Sequence, residues 1–318
     1  MIEFILGENY MTRLFGIAGV QMSVIPWDAN ATIDKMSDIT INVQRSFPWA
    51  QMVVFHELIV PGLVQFVTPE TKDWWKKNAE YIPGPLTERL CALARKTGQW
   101  LVPGSMFELD GDKLYNTSLV ISPQGEIIAR YRKMFPWLPY EAGTSPGNEF
   151  CVFDVPDVGR FGLMICYDMW FPETSRTLAW MGAEVILQPT LTPTSDRELE
   201  LVMARANALF NQTYFVSING IGEWGGGRST IINPDGRVVQ EASTNQTILT
   251  EILDLDHTTR SREFGTLGLG QTLKQLRDSG HKFPVYQDEG GLPEGSFKQL
   301  GALKYFKNLN HANNGNGK

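Results

Sequence analysis

One cysteine stands where the sequence suits a nucleophile. Cys166 follows the apolar run Phe161-Gly-Leu-Met-Ile165, and Pro172 opens the next predicted helix shortly afterwards. A thiol at such a strand-to-helix turn lies near free backbone N–H groups, which stabilise negative charge. The alternative is a buried structural cysteine, which is the commoner role of a lone thiol.

A carboxylate and an ammonium follow two other apolar segments. Glu57 closes Met52-Val-Val-Phe-His56, and a carboxylate after a parallel-type strand points to the sheet edge where α/β sites form. Lys133 closes a second segment and precedes Met-Phe-Pro-Trp137, a setting unlike that of a solvated lysine. We interpret Glu57 as a candidate base and Lys133 as a candidate electrostatic clamp. Each alone could equally be an ordinary capped or salt-bridged charge.

Together these segments resemble the nitrilase superfamily of carbon–nitrogen hydrolases, which use a Glu-Lys-Cys triad. The matching motifs are His56-Glu57-Leu58, Tyr131-Arg-Lys133 with Pro136-Trp137, and Cys166-Tyr-Asp168 with Pro172-Glu173. They occur in the family's order and at its spacing, within a resemblance that runs from about residue 14 to residue 251. The resemblance implies that Glu57, Lys133 and Cys166 form the triad.

A fourth candidate catalytic residue comes from the same resemblance. The segment from Arg132 to Glu141 is similar to the loop of aliphatic amidases and formamidases in which a second glutamate enters the pocket. After this glutamate the chain continues as Ala-Gly-Thr-Ser-Pro-Gly147, which is smaller than in aliphatic amidases, so we expect a wider pocket. The candidate substrate-binding residues are Trp137, Tyr167, Trp170 and Thr190.

These residue types suit the hydrolysis of an amide. An amide carbonyl is a poor electrophile, so the nucleophile must be activated, the oxyanion held and the leaving nitrogen protonated. Glu57 would take the proton of Cys166, pass it to the leaving ammonia and then deprotonate the water that hydrolyses the thioester. Lys133 and the backbone N–H of Tyr167 would hold the oxyanion. Glu141 would orient the amide nitrogen of the substrate or assist the second proton transfer.

Departures from related branches bear on the substrate. Nitrilases proper usually carry Cys-Trp-Glu, whereas this chain has Cys166-Tyr-Asp168, as amidase-type branches do. Branches that act on carboxylated substrates commonly place an arginine where this chain has Trp170, and a tryptophan cannot pair with a carboxylate. We therefore expect an amidase for a small neutral carboxamide with an apolar or aromatic acyl group. The alternatives are a nitrilase, an N-carbamoyl amide hydrolase, and a binding subunit without activity.

Composition argues against several other classes of function. The chain has 318 residues, 42% of them hydrophobic, and a net charge of −7 with no basic cluster beyond 130–133. A nucleic acid or an anionic membrane is therefore not an expected partner. The three cysteines cannot all pair, and the four histidines show no zinc-site spacing. We expect reduced thiols, no metal and no cofactor.

The ends of the chain and its location also give expectations. No segment of the sequence is long and apolar enough to span a bilayer, and the first residues do not resemble a signal peptide. We expect a cytoplasmic protein, for which Met11 is an alternative start. The predicted divisions are an N-terminal extension at 1–13, a carbon–nitrogen hydrolase domain at 14–256 and a C-terminal segment at 257–318. The resemblance implies a homo-oligomer, with contacts through 172–181, 196–210 and the C-terminal segment.

The elements that must position these residues form one pattern that occurs twice. The first half predicts strands at 15–22, 52–55 and 100–105, helices around 33–47 and at 85–96, and a hairpin across Pro123-Gln-Gly125. The second half predicts strands at 161–165, 185–187 and 214–218, helices at 172–181 and 196–210, and a hairpin across Pro234-Asp-Gly236.

Two such layers bury their remaining sheet faces against each other, which predicts an α/β fold: a four-layer α-β-β-α sandwich of two pseudo-symmetric halves. The family resemblance implies the same fold. Glu57 and Lys133 of the first half would then meet Cys166 of the second. A doubly wound nucleotide-binding sheet is the alternative, but no glycine-rich loop follows the first predicted strand.

Overall fold

The computed structural model describes residues 12–60, 78–138, 140–222 and 225–283. Met11 and the polar end of the chain lie outside these ranges. Contacts divide the chain into two units, 1–272 and 273–318. The sheets described below all belong to the first unit. In the described ranges, no helix has both the length and the apolar character needed to cross a membrane.

The first half of the chain forms two helices and six strands among the described residues. They are β1 Leu14–Gln21, α1 Ala29–Ser46, β2 Met52–Val54, α2 Pro85–Thr97, β3 Trp100–Val102, β4 Ser105–Asp110, β5 Lys113–Ile121 and β6 Ile127–Arg132. Helix α1 begins after Asp28, whose side chain accepts a hydrogen bond from the N–H of Ala31 at 2.8 Å. Helix α2 begins at Pro85 and ends before Gly98, whose φ of 67° favours glycine.

The second half repeats this plan with additions. Its elements are β7 Cys151–Val155, β8 Gly159–Leu163, a 3₁₀ turn at Cys166–Trp170, α3 Pro172–Trp180, β9 Val185–Thr190, α4 Arg197–Asn211, β10 Tyr214–Asn219, β11 Ile221–Gly222, β12 Gly225–Gly226, β13 Thr230–Ile232, β14 Val238–Glu241, β15 Thr247–Asp254 and α5 Leu255–Phe264. The helix α6 Thr272–Asp278 follows.

The two main sheets have the same arrangement of central strands and differ in their edge strands. The first runs β15-β1-β2-β3-β5-β4, with β6 paired to β5, and the second runs β14-β13-β10-β9-β8-β7. In each sheet the three central strands are parallel: β1, β2 and β3 in the first and β8, β9 and β10 in the second. Strand β15 comes after the second hairpin and returns to pair antiparallel with β1. The last strand of the second half therefore closes the first sheet.

Three hydrophobic clusters separate four layers. Between the two sheets, the rings of Phe15 and Phe161 meet edge to face with centroids 5.3 Å apart. A second cluster packs Ile33 of α1 and Leu90 of α2 against the outer face of the first sheet. A third packs Leu178 of α3, among others, against the outer face of the second sheet. The predicted α-β-β-α sandwich is confirmed.

Two local predictions differ from the structure. The predicted strand at 100–105 is two strands, β3 and β4, because the chain turns at Gly104 with a φ of 73°. A Cβ on Gly104 would lie 1.8 Å from the carbonyl oxygen of His56, so only glycine allows this approach. The predicted strand at 161–165 ends two residues earlier, and Cys166 opens a 3₁₀ turn ahead of the helix.

Candidate active site

Cys166 is the first residue of the 3₁₀ turn Cys166–Trp170 and has a strained backbone conformation. Its φ of 46° is unusual for a residue other than glycine, and such backbone strain is concentrated at functional sites. The side chain is buried, with 8% of the residue exposed. The charge of Glu57 raises the pKa of this thiol and that of Lys133 lowers it, so both groups lie close to the sulfur. The structure therefore places this thiol near the predicted base.

The segment after β2 brings Glu57 to the thiol. The backbone N–H of Glu57 donates to the carbonyl of Thr190 at 3.3 Å, which joins the ends of β2 and β9 across the two sheets. The next residue, Leu58, donates its N–H to the hydroxyl of Ser105 at 2.8 Å. These two bonds fix the backbone on either side of the carboxylate, which is 1% exposed.

The ammonium of Lys133 lies between two carboxylates. Its Nζ donates to Glu57 Oε1 at 2.8 Å and to Glu141 Oε2 at 2.6 Å, and all three side chains are buried. Asn116 of β5 joins the same two residues, because its Nδ2 donates to Glu57 Oε1 at 2.9 Å and to Glu141 Oε1 at 3.0 Å. The N–H of Trp137 donates to Glu141 Oε2 at 2.6 Å. The structure thus brings together all four predicted catalytic residues.

Burial and mutual charge set the protonation of this cluster. Burial raises the pKa of Glu57, and Glu141 adds to this while Lys133 opposes it, so the net direction is upward. Burial lowers the pKa of Lys133, but the charges of Glu141 and Glu57 outweigh it and hold the pKa well above its usual range. Burial also raises the pKa of Cys166 well above that of a free thiol. The site at rest therefore holds a charged lysine and a neutral thiol beside a carboxylate of increased basicity.

Asp168 joins the nucleophile turn (Cys166–Trp170) to the lysine segment (Tyr131–Phe135). Its carboxylate accepts from the hydroxyl of Tyr131 at 2.7 Å, the N–H of Phe135 at 2.9 Å and the N–H of Ile165 at 3.0 Å. Burial raises its pKa to about 6, although these hydrogen bonds act in the opposite direction. Because two of the donors flank Lys133 in sequence, Asp168 fixes the position of Cys166 relative to the ammonium.

A small pocket opens onto the sulfur. Its walls include Trp137, Tyr167 and Trp170, three of the predicted substrate-binding residues, together with Thr192 and Glu200. Its cavity volume is about 20 Å³, about the room that one water molecule needs. Among the described residues, this space does not support the expectation of a wider pocket.

Thr190 occupies a different place from the other three candidates. It is fully buried, its hydroxyl lies 3.1 Å from the hydroxyl of Thr192, and it is not among the residues that line the pocket. Direct contact between Thr190 and a substrate stays a prediction. Within the described part of the chain, no three His, Cys, Asp or Glu side chains gather in a way that could hold a metal ion.

Sequence reasoning assigned no role to Asn116, Asp168 or Glu200. A signal for Asn116 exists, because it is an amide inside the strand Lys113–Ile121, which is buried after its first residue, and a buried polar group needs a partner. Asp168 stands in the cysteine motif, but its three donors come from separate segments. Glu200 lies on a helix whose sequence is amphipathic in the ordinary way, so no local feature marks it.

Comparison with known proteins identifies the family. Residues 16–263 match the family model described as carbon-nitrogen hydrolase, and the chain belongs to this family. The resemblance to the nitrilase superfamily is thereby confirmed.

Individual relatives agree with this assignment. The chain is 33% identical to the omega-amidase NIT2 of Xenopus tropicalis over 216 residues, which cover 62% of this chain and 77% of that protein. It is 32% identical to a formamidase of Bacillus cereus strain Q1 over 242 residues, covering 73% and 71%. Among solved structures, Saccharomyces cerevisiae Nit3, a member of branch 10 of the nitrilase superfamily, matches with a TM-score of 0.71 and 27% identity, over 79% of this chain and 94% of that one.

Proposed function

We propose that this chain is an amidase that hydrolyses a small neutral carboxamide to a carboxylate and ammonia through a thioester on Cys166. The observation that carries the proposal is a buried thiol close to a carboxylate that is itself paired to a buried ammonium. The relatives named as omega-amidase and formamidase support amide hydrolysis. The intact set of Glu57, Lys133 and Cys166 disfavours a binding subunit without activity.

The geometry supports the following order of steps. As the sulfur attacks the amide carbon, Glu57 accepts the thiol proton, and the oxyanion forms near Lys133 and the backbone N–H of Tyr167. Glu57 then gives this proton to the nitrogen, the C–N bond breaks and ammonia leaves. In the second half of the cycle, Glu57 takes a proton from water, the water oxygen attacks the thioester and the sulfur leaves with the proton restored. The products are the carboxylic acid and the free thiol.

Glu141 has the contacts of a fixed acceptor. Lys133, Asn116 and the backbone N–H of Trp137 all donate to its carboxylate, so its position is set before substrate enters. A carboxylate held in this way beside Lys133 and next to the pocket residue Trp137 can accept a hydrogen bond from the N–H of the substrate amide. We assign it the role of orienting the leaving nitrogen.

The pocket supports a neutral acyl group. The described residues that line it include three aromatic side chains and no lysine or arginine, so a substrate carboxylate would lack a cationic partner there. Its volume favours a short acyl chain over a large aromatic group.

The cytoplasmic location, the homo-oligomeric state and the division at 14–256 stay predictions. Exposed apolar residues on α3 and α4, such as Trp180, Val202 and Phe210, support contacts through these helices.

The chain offers a matched pair of variants to test the proposal. Cys166→Ala removes the thiol at the site, while Cys151→Ala removes a second buried thiol on β7, whose pKa burial raises to about 11. We expect Cys166→Ala to abolish ammonia release from short amides and Cys151→Ala to retain it. Hydroxylamine added to the wild-type enzyme should divert the thioester to a hydroxamate. Retained turnover in Cys166→Ala would overturn the assignment, and turnover of nitriles or ureido acids alone would replace the substrate class.

A further inference from the structure

A buried glutamine holds the backbone of the nucleophile turn. Gln188 lies on β9 and is fully buried, and its Nε2 donates to the carbonyl oxygen of Cys166 at 3.1 Å. A carbonyl oxygen can only accept hydrogen bonds, so this contact fixes which end of the side-chain amide faces the turn. The steps proposed above do not use Gln188.

The other end of this amide has no partner. Its Oε1 is buried and accepts no hydrogen bond from any described residue. Because side chains alternate between the two faces of a sheet, Gln188 shares a face with Ile186, a member of the third hydrophobic cluster. An unpaired acceptor in such a layer is unfavourable. A glutamine at this position is therefore better explained by its contact with Cys166 than by the packing of the layer.

The backbone of Cys166 needs support from its surroundings. A residue with a side chain keeps a φ of 46° only when neighbouring contacts hold it there. Before Cys166, the N–H of Ile165 donates to Asp168 Oδ2 at 3.0 Å. After the Cα of Cys166, Gln188 holds the carbonyl oxygen. These two contacts hold the backbone on both sides of the nucleophile.

The peptide that Gln188 holds also carries the proposed oxyanion donor. The carbonyl of Cys166 and the N–H of Tyr167 belong to one planar trans peptide, in which the two groups point in opposite directions. At the second position of the 3₁₀ turn, this N–H has no acceptor within the turn. Cys166 and Tyr167 line the pocket, whereas Gln188 is not among its described lining residues. With Gln188 on the carbonyl side of the peptide, the N–H on the opposite side is left for a substrate oxygen.

We propose that Gln188 is a positioning residue that directs the N–H of Tyr167 toward the substrate oxygen by holding the carbonyl of Cys166. The direction of this N–H matters, because an oxyanion donor must meet the oxygen at the place where negative charge develops. The inference rests on the proposed amidase function, in which the N–H of Tyr167 and Lys133 share the oxyanion. A covalent adduct that forms without turnover can nevertheless test it separately.

Gln188→Met is the sharpest variant, because methionine is similar to glutamine in length and lacks the amide donor. Losing an interaction that acts only in the transition state lowers kcat and kcat/KM by the same factor. A misplaced group can cost on the order of 100-fold in rate, and here the donor is kept but less well directed. We therefore expect kcat for ammonia release from a short amide to fall roughly tenfold, with KM unchanged.

Two reagents separate the oxyanion donor from the sulfur itself. Acetaldehyde adds to the Cys166 thiol: the C–S bond forms, the carbonyl π bond breaks and the thiol proton ends on the new hydroxyl oxygen, which takes the place of the oxyanion. Methyl methanethiosulfonate transfers its methylthio group to the sulfur, releases methanesulfinate and creates no such oxygen. In Gln188→Met, the inhibition constant of acetaldehyde should rise roughly tenfold. The rate of Cys166 modification by methyl methanethiosulfonate, followed by mass spectrometry, should stay as in the wild type.

The chain contains a matched control glutamine. Gln99 is buried, its Nε2 donates to the carbonyl of Ala50 at 2.7 Å, and its Oε1 has no partner among the described residues. It precedes β3, whereas Glu57 follows the parallel strand β2, so this amide lies at the opposite end of the sheet from the site. Gln99→Met should keep the wild-type kcat, acetaldehyde inhibition and thiol modification.

The outcomes distinguish this inference from a structural role of Gln188 and from the amidase proposal. Wild-type kcat and acetaldehyde inhibition in Gln188→Met would overturn the inference. An equal loss in thiol modification, or equal losses in Gln99→Met, would also overturn it, because the change would then not be specific to the oxyanion. Should Gln188→Met not fold, Gln188→Leu carries the same expectations. If the wild type hydrolyses no short amide but Gln188→Met still weakens the acetaldehyde adduct alone, the amidase proposal fails and the role of Gln188 stands.

Discussion

The two halves of the sandwich make unlike contributions to one site. The first half supplies the carboxylate of Glu57 after β2, the ammonium of Lys133 after β6 and the amide of Asn116 within β5, which donates to Glu57. The second half supplies the thiol of Cys166, the proposed nucleophile, and the side chain of Thr190 at the end of β9. The folds of the halves are alike while their chemistry is complementary, so neither half holds a complete site. Activity therefore depends on how accurately the two sheets are aligned.

Several contacts fix that alignment. Strand β15 belongs to the second half in sequence and pairs with β1 of the first sheet along its whole length. Asp168 accepts from Tyr131 and Phe135 of the lysine segment. The ends of β2 and β9 are joined by the bond between Glu57 and Thr190. These contacts lie close to the reacting groups, so the alignment of the two sheets is fixed next to the site.

Removing the charge of the first half should have the largest effect. Lys133→Met leaves Glu57 and Glu141 buried without their shared cation. Losing one oxyanion donor commonly costs 10²–10³-fold in rate, and breaking a buried ion pair costs about 3–5 kcal/mol of stability. We expect kcat/KM for ammonia release to fall at least about 100-fold and the free energy of unfolding in urea to fall as well.

The matched control is Lys113→Met, which removes an exposed lysine at the start of β5. Lys113→Met should change neither kcat/KM nor the free energy of unfolding, because an exposed lysine makes little net contribution to stability. A Lys133→Met enzyme that keeps activity within threefold of the wild type would show that the charges of the first half do not act on the substrate.

The contrast between the halves also shows what sequence could predict. Alternating strands and helices, repeated with two similar glycine-bearing hairpins, were enough for the four layers, because each element has its own apolar face. The candidate triad residues could be proposed because each follows its own apolar segment in a known motif. Partners such as Asn116 and Glu200 were not found, since buried polar contacts depend on residues far apart in sequence. The return of β15 to the first sheet is equally non-local.

The junction between the halves contains a histidine that makes stability depend on pH. His56 is buried, its Nδ1 lies 2.8 Å from the carbonyl of Glu57, and a Cβ on Gly220 of the second half would lie 3.1 Å from its ring. Burial lowers its pKa from 6.5 to about 4, so the folded state favours the neutral ring. The unfolded chain binds the additional proton between these two values, and stability is lost as pH falls from 6.5 to about 4. The full loss in the free energy of unfolding is roughly 3 kcal/mol.

Comparison with His56→Gln isolates this contribution, since carboxylates also titrate in the same range. Asp168 acts with the opposite sign, because its raised pKa makes the folded state gain a proton as pH falls through about 6. Urea unfolding at pH 7.5 and pH 4.5 should show that the wild type loses more stability on acidification than His56→Gln. Equal losses in the two proteins would mean that the ring is solvated and does not couple the junction to pH.

The smallest expected effect concerns the alignment of the halves. The rings of Phe135, after Lys133, and Phe171, before α3, are stacked with centroids 3.6 Å apart and planes 12° apart. A double-mutant cycle with Phe135→Leu and Phe171→Leu should give a coupling of about 1 kcal/mol in the free energy of unfolding. A second stacked pair, Phe153 and Phe161, has ring centroids 5.5 Å apart and serves as the control; both residues belong to the second sheet, and Phe161 also meets Phe15 of the first sheet, away from the lysine segment. Both pairs should couple in stability, but only the first joins the lysine segment to the nucleophile turn. The Phe135–Phe171 cycle alone should therefore show coupling in kcat/KM. If the control pair also shows such coupling, or if neither pair does, this stack does not set the alignment on which activity depends.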